Sequence, residues 1–278
     1  MRNRISLFSA PPRLRGERIM SRKVDPLWIA LGTITGAYLL FLVALIGATA
    51  VHSSPGDLVR ALAAREIRYS IGLSLITCTA TALLALLLAV PVGYLMSRGR
   101  FPGRAWIDAA LDVPIVLPPM VVGLCLLILF QTWFGKLVEH VIPFTYTVAG
   151  VVLAQFVIGA AFAVRTMRGT FDHLSPRPED VAMTLGCSRA RAIWSVPLPA
   201  ARRGMFAAAS IAWARSLGEF GPILVFAGAT RMKTEVLPTT VWLELSVGNL
   251  EAAIAVSMLM VALAVVVLAA VRLAGERV

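Results

Sequence analysis

Charged residues are scarce in this chain. Asp, Glu, Lys and Arg together make up 15% of its 278 residues, whereas hydrophobic residues make up 58%. A soluble globular domain has about 25% charged residues. The shortage leaves long stretches without any charge, and such stretches favour a membrane protein over a soluble one. The sequence therefore predicts an all-α membrane protein with several spanning helices.

Acidic residues are the scarcer of the two charged classes, 15 against 26 basic residues, which gives a net charge of +11. A basic chain can bind nucleic acid, but that function requires a basic face with exposed groups that stack on or read the bases. Here the basic residues lie between apolar runs, where they orient membrane spans. The expected surroundings are therefore a lipid bilayer, with no nucleic acid partner.

Cysteine and histidine are also few, with three of each. Cys78 and Cys125 lie within apolar runs and Cys187 lies in a polar stretch, so no disulfide framework is predicted. The histidines lack the spacing of metal ligands. The phosphate-binding pattern GxxxxGK[ST] is missing, and the apolar runs contain no catalytic constellation. We therefore expect no enzymatic activity, resident metal or cofactor in this chain.

Apolar runs predict six membrane spans. Five of the runs are charge-free and reach the roughly 20 residues that a helix needs to cross the hydrocarbon core. The sixth contains Arg215 and Glu219, four residues apart on one helix face, where they can neutralise each other. Because central charges are costly in a span, that face needs neighbouring helices or a water-filled cavity. The predicted spans are Leu27–Val51, Tyr69–Ser97, Val113–Gly135, Val141–Val164, Gly204–Thr230 and Ala252–Val271.

The distribution of Lys and Arg predicts that both termini are cytoplasmic. In that orientation 19 of the 26 basic residues lie in inner segments and 6 in outer ones, as the positive-inside rule expects. The predicted organisation is a basic cytoplasmic segment 1–26, in which Met20 is an alternative start, a single transmembrane domain 27–272 and a short cytoplasmic tail 273–278.

A polar loop, residues 175–203, separates the fourth and fifth predicted spans. Ser175 and the prolines after it predict the start of a short helix, and Gly186 predicts its end. Ser188 suits the N-cap of a second short helix. The predicted apolar face of this second helix consists of Ala190, Ile193, Trp194 and Pro197. Composition alone leaves two interpretations open: an amphipathic connector on the membrane surface, or a binding site for a partner.

The segment EDVAMTLGCSRARAIWSVPLP at 179–199 resembles the EAA motif of ABC-importer permeases. Asp180 stands at the motif's Glu, Val181 and Ala182 at its Ala-Ala pair, and Gly186 at its Gly. Val196 replaces the motif's Ile. The resemblance implies a cytoplasmic coupling-helix loop that rests in a groove of a separate ATPase subunit. The residues that it assigns to ATPase coupling are Asp180, Val181, Ala182, Gly186, Ser188, Arg189, Arg191, Leu198 and Pro199.

Three further segments resemble the same family in the same order. GYLMSRGRFPGR at 93–104 is similar to the basic loop after the second span. DVPIVLPPMVVG at 112–123 and ARSLGEFGPILVFAG at 214–228 resemble the molybdate, tungstate and sulfate branch. The resemblance covers nearly the whole chain and implies a permease for a tetrahedral oxyanion, with molybdate or tungstate ahead of sulfate or thiosulfate.

The resemblance also implies partners and a place in the cell. These are a second permease copy, two cytoplasmic ATPase subunits that bind ATP and Mg²⁺, and a soluble oxyanion-binding protein at the outer face of a bacterial-type inner membrane. The hypothesis for the translocation path comprises Pro118, Pro119, Arg215, Gly218, Glu219 and Gly221. Two alternatives stay open: Arg215 and Glu219 form a structural pair that only holds helices in register, or the chain is an ion-coupled secondary transporter or a channel.

Overall fold

The computed structural model describes residues 26–51 and 55–277, and within these ranges the secondary structure consists of helices joined by turns and short loops. The predicted all-α membrane fold is confirmed. The helices are α1 (Pro26–Val51), α2 (Pro55–Ala63), α3 (Arg65–Arg98), α4 (Arg104–Val116), α5 (Pro119–Gln131), α6 (Trp133–Val141), α7 (Val148–His173), α8 (Arg177–Thr184), α9 (Arg189–Ser195), α10 (Pro197–Ala200), α11 (Arg202–Leu217), α12 (Gly221–Phe226), α13 (Leu237–Ser246) and α14 (Leu250–Arg277).

The chain divides into two compact units, Met1–Ala48 and Thr49–Val278. The described part of the first unit is most of α1, whose apolar sequence matches the first predicted span. The second unit contains α2 to α14. The predicted segment 1–26, with Met20, lies outside the described residues except for Pro26, and α14 continues through the predicted tail to Arg277.

Four of the described helices are long and apolar enough to cross a membrane. A fifth span is counted if α4 and α5, which are bent by 112° at a short break, cross as one. The count of six spans remains a prediction. The four spans are Leu27–Val51, Arg65–Arg98, Val148–His173 and Leu250–Ala269.

The third predicted span, Val113–Gly135, is divided by a sharp bend in the structure. Its first residues belong to α4, the chain bends at Leu117 and Pro118, and α5 begins at Pro119. Proline lacks an amide hydrogen and disfavours helical backbone at the residue before it, so two adjacent prolines end one helix and start another. The proline pair therefore produces a sharp bend between two helices where the sequence predicted one span.

The fourth predicted span, Val141–Val164, is displaced along the chain. α7 begins only at Val148, where the Thr147 hydroxyl caps it by accepting the Gly150 amide, and it runs on to His173. The prediction stopped where charged residues begin. Those charges are paired with α4: Arg165 Nη1 lies 3.0 Å from Asp112 Oδ1, and Arg168 contacts Asp108. Pairing lets the helix continue past its apolar part.

Three helices of the second unit, α3, α7 and α11, pack together through small side chains. Gly93 on α3 lies so close to α7 that a Cβ atom there would be 2.8 Å from Met167 Cβ. Such close approach is typical of helix packing in membranes, where dispersion contacts replace the hydrophobic effect. The buried small residues at this junction are Ala82, Ala85, Ala89, Ala160, Ala163, Ala208 and Ala212.

The predicted outer connection 231–249 is largely ordered, because α13 lies within it. The Leu237 amide at the start of α13 donates a 2.9 Å hydrogen bond to Ser74 Oγ on α3. Glu235, just before α13, is fully buried, and among the described residues no hydrogen-bond partner reaches either of its carboxylate oxygens. The Thr240 hydroxyl donates to Val236 O instead. Burial therefore raises the pKa of Glu235 above its ordinary value.

Candidate functional site

The fifth predicted span, Gly204–Thr230, is broken in the structure. α11 ends at Leu217, a turn of three residues follows, and α12 begins at Gly221. Pro222 lies in the first turn of α12, which suits a helix start. Amides in the first turn have no acceptor within the helix, so the amide hydrogen that proline lacks costs no hydrogen bond there. The break lies at the turn Gly218–Gly221, where the predicted path residues are concentrated.

Arg215 and Glu219 form an ion pair across this break. Arg215 Nη2 lies 2.7 Å from Glu219 Oε1, and the Glu219 side chain is 1% exposed against 35% for Arg215. The Arg215 guanidinium also lies over the ring of Phe162 on α7, 5.8 Å from its centroid, a favourable cation–π position. The charge of a buried carboxylate is costly in a membrane unless it is paired. The structure therefore contains the neutral pair that the spacing predicts.

Gln155 on α7 supports the break, and the sequence analysis missed it. Its side-chain amide is 1% exposed, donates to Ser216 O at 3.2 Å and accepts from the Thr81 hydroxyl at 3.2 Å. α11 ends one residue after Ser216, and that carbonyl also accepts the Glu219 amide of the turn at 3.2 Å, so Gln155 is its second donor. The sequence did contain a signal for this residue. Gln155 is the one residue with a side-chain amide in the largely apolar predicted span Val141–Val164.

The prolines of α5 lie against α12. A Cβ atom at Gly221 would be 3.0 Å from the Met120 amide nitrogen and 3.3 Å from Pro119 C, so a larger residue would force these neighbours to shift. Pro118 precedes α5 as its N-cap and is exposed. The structure thus brings Pro119 against Gly221, while Arg215, Gly218 and Glu219 lie at the same break as Gly221.

The polar loop 175–203, called the elbow from here on, has the predicted helix–turn–helix form. α8 ends just before Gly186, whose φ of +92° lies in the left-handed region that glycine adopts without strain. Ser188 then caps α9 by accepting the Arg191 amide at 3.4 Å. The local signals in the sequence, a glycine and a serine, predicted both helix boundaries correctly.

The predicted apolar face of α9 is only half right. Pro197 is buried and Ile193 is half-buried, but Ala190 and Trp194 are exposed, Trp194 by 72%, and Ala192 is buried in their place. A seven-residue helix is too short for the spacing of its apolar residues to determine which side is buried. The connections at its two ends determine its orientation instead.

The elbow presents a mixed apolar and charged surface. Leu185 is 80% exposed, and with Trp194 it forms apolar contact area between charged side chains. Exposed aromatic and aliphatic side chains next to arginine are typical of protein interaction sites. Most of the predicted coupling residues are exposed here, namely Asp180, Val181, Gly186, Ser188, Arg189, Arg191 and Pro199, while Ala182 and Leu198 are half-buried.

Glu179 is a second residue that the sequence analysis missed. Unlike its exposed neighbour Asp180, it is 5% exposed, and it accepts a hydrogen bond from the hydroxyl of Tyr94 at the end of α3. No local pattern pairs two residues that lie 85 positions apart in the chain. The motif directed attention to Asp180, whereas the buried contact with the membrane helices belongs to the acid before it.

Comparison with known proteins places the chain in a family. The family model described as the inner membrane component of binding-protein-dependent transport systems matches residues 85–278. A probable molybdenum ABC transporter permease protein of Haloferax volcanii is 33% identical over 90% of this chain and 92% of its own length. The molybdate/tungstate transport system permease protein WtpB of Thermococcus kodakarensis is 38% identical over 72% of this chain and 77% of its own length.

Sulfate permeases and solved structures are similar as well. The sulfate transport system permease protein CysT of Salmonella typhimurium is 34% identical over 64% of this chain and 65% of its own length. A bacterial ABC transporter that imports the acidic polysaccharide alginate has the same fold, with a TM-score of 0.70 over 90% of this chain and 96% of the solved chain at 14% identity. This chain therefore belongs to the family of inner membrane components of binding-protein-dependent transport systems.

Proposed function

We propose that this chain is the membrane-spanning permease subunit of an ATP-driven importer, and that its cargo is a tetrahedral oxyanion, molybdate or tungstate. The observation that carries the proposal is the similarity to the Haloferax volcanii molybdenum permease along 90% of the chain. Sulfate is the second candidate cargo, because the Salmonella typhimurium sulfate permease shares 34% identity over 180 residues.

The break between α11 and α12 is the proposed translocation path. A lone carboxylate would repel an oxyanion and a lone guanidinium would hold it tightly, whereas the Arg215–Glu219 pair is neutral overall. Its arginine side chain is the more exposed partner, 35% against 1%, so an arriving anion meets the donor groups first. Such a pair suits brief contact with a passing anion. The small-residue turn Gly218–Gly221 and the prolines Pro118 and Pro119 would complete the path across a two-fold axis between two copies.

The elbow is the proposed contact site for the ATPase. Two cytoplasmic ATPase subunits would bind ATP and Mg²⁺, and the exposed elbow of each permease copy would rest on one of them. Closure of the ATPase pair would push the elbow and rotate the helix bundle as a rigid body. The exposed side chains of Leu185 and Trp194 support this role because they offer apolar contact area at that surface.

The outer connections are the proposed docking region for a soluble oxyanion-binding protein. They comprise residues 52–68, 131–146 and 231–249. A bacterial alginate ABC transporter of the same fold, with a TM-score of 0.71, has been solved in complex with a periplasmic protein that carries an alginate pentasaccharide. The basic residues between the spans support the orientation with both termini in the cytoplasm of a bacterial-type cell.

The class of transporter is tested by the energy source of uptake. Cells that make the chain with its ATPase and binding protein take up labelled molybdate, first after ATP depletion and then after an ionophore has collapsed ion gradients while ATP is maintained. We expect uptake to stop in the first case and persist in the second. The reverse result would identify an ion-coupled transporter, and uptake that resists both treatments would identify a channel.

A further inference from the structure

The cytoplasm-proximal end of α3 is hydrogen-bonded to the elbow at one point and to the residue just before the elbow at another. The Tyr94 hydroxyl donates to Glu179 Oε1 on α8. One turn later, Arg98 Nη2 donates a 2.7 Å hydrogen bond to Leu174 O, in the segment that leads into the elbow. The Tyr94 ring also packs edge-on against Phe171, with 5.5 Å between ring centroids and an angle of 89° between ring planes. We name the Tyr94–Glu179 and Arg98–Leu174 contacts the clamp.

The Glu179 side chain of the clamp is largely removed from solvent, with 5% exposed, and the Tyr94 ring packs on the fully buried Phe171. A buried carboxylate that loses its donor is left with an unsatisfied acceptor, which costs more than the hydrogen bond itself contributes. The end of α3 and the start of α8 are therefore expected to move together when the elbow is displaced.

The opposite end of α3 contacts a different part of the molecule. Ser74 accepts the Leu237 amide at the start of α13 at 2.9 Å. Ser74 and Tyr94 are twenty residues apart on one helix that continues through Pro91, which corresponds to about 30 Å along the helix axis. α3 thus joins the elbow to the connection at the far side of the bundle by two side-chain hydrogen bonds.

We propose that Tyr94 and Glu179 are positioning residues that transmit displacement of the elbow to α3. The proposal rests on the proposed function, in which an ATPase drives the elbow. The chain connects the elbow to α7 before it and to α11 after it, and both helices pack against α3. The clamp adds a direct contact between α8 and the end of α3, so a push on the elbow reaches α3 without passing through those helices. With the clamp intact, the same push reaches α13 at the far end of α3. Loss of the clamp is therefore expected to lower the number of ions transported per ATP hydrolysed.

The test measures how many molybdate ions enter per ATP hydrolysed, in proteoliposomes that contain the complex with its ATPase subunits and binding protein. Tyr94→Phe removes only the hydroxyl and keeps the ring packed on Phe171. We expect this variant and Glu179→Ala to retain ATP hydrolysis while the ratio falls by about 5-fold or more, the effect of one lost hydrogen bond to a buried group. Tyr38→Phe makes the same chemical change on an exposed position of α1 and should leave the ratio unchanged.

Two further variants separate transmission from simple loss of structure. Glu179→Gln keeps a side-chain oxygen that accepts the Tyr94 hydroxyl, so it should restore most of the ratio lost in Glu179→Ala. The double variant Tyr94→Phe/Glu179→Ala should be no worse than the worse single variant, because both remove the same contact. An unchanged ratio in Tyr94→Phe, a Glu179→Gln variant as impaired as Glu179→Ala, or additive effects would overturn the inference. A wild-type complex without ATP-driven uptake would overturn the proposed function and this inference with it.

Discussion

The side-chain amide of Gln155 on α7 donates a 3.2 Å hydrogen bond to the carbonyl oxygen of Ser216, one residue before α11 ends. A broken helix inside a membrane leaves backbone groups that water cannot satisfy, and neighbouring side chains have to replace the missing partners. Gln155 does so here beside the Glu219 amide, which also donates to Ser216 O, and the oxygen of Gln155 accepts from Thr81. The turn that carries Glu219 is therefore fixed by a polar side chain from another helix.

Gln155→Leu should destabilise the broken span. The substitution removes one of the two donors to Ser216 O, so we expect the free energy of unfolding to fall by about 0.5–1.5 kcal/mol, together with slower uptake. Thermal unfolding in lipid nanodiscs measures the first effect. Gln131→Leu, at the exposed end of α5, is the matched control. Equal melting temperatures for the two variants would show that Gln155 does not support the break.

Arg215→Met should leave Glu219 buried without its partner. Glu219 is 1% exposed, so we expect destabilisation of about 3–5 kcal/mol and loss of uptake. Adding Glu219→Gln removes the unpaired charge and should recover most of the stability, though not the uptake. The idea of a required pair fails if Arg215→Met folds and transports like the wild type.

Gly186→Val should impair coupling at the elbow. No described atom lies within 4 Å of a Cβ placed at Gly186, so steric clash is not the reason. The φ of +92° is a conformation that β-branched residues avoid, at a cost of about 1–2 kcal/mol. Binding of the purified ATPase to the permease in nanodiscs should weaken.

The matched control for this variant is Gly169→Val. A Cβ at Gly169 also meets open space, but φ there is not positive. We expect ATPase binding and uptake close to wild type for this control. Similar losses in both variants would mean that the backbone conformation at Gly186 has no special part in coupling.

Glu235→Gln should stabilise the protein at neutral pH. Burial raises the pKa of Glu235 above its ordinary value of 4.5, so the folded state favours the neutral carboxyl. Ionisation therefore lowers the free energy of unfolding as pH rises above 4.5 through the raised pKa, and the amide removes this loss. Melting temperatures of wild type and variant should coincide near pH 4 and diverge as pH increases. A difference that stays constant with pH would contradict the buried, protonatable carboxyl.

The sequence predicted those features that short-range patterns determine. The apolar runs gave α1, α3 and α14 to within a few residues, and Gly186 and Ser188 marked the helix ends within the elbow. These features depend on burial in lipid or on local backbone geometry, both of which a window of the sequence contains.

Other features depend on residues that are distant in the chain. Tyr94 and Glu179 are 85 positions apart, and Gln155 and Ser216 are 61 apart. Hydropathy could not indicate that the pairing of Arg168 with Asp108 extends α7 past its apolar part. The proline pair at 118–119 marks the 112° bend, but the close approach of Pro119 to Gly221 joins residues that are far apart in the chain.

The central claim, ATP-driven import of a tetrahedral oxyanion, is tested most directly by uptake of labelled molybdate with competitors. Cells that make the chain with its ATPase and binding protein are assayed with and without ATP, in the presence of excess tungstate or excess sulfate. The account predicts ATP-dependent uptake that tungstate blocks and sulfate does not. Uptake blocked by sulfate would reassign the cargo within the same family, and the absence of ATP-dependent uptake for all three oxyanions would contradict the proposed function.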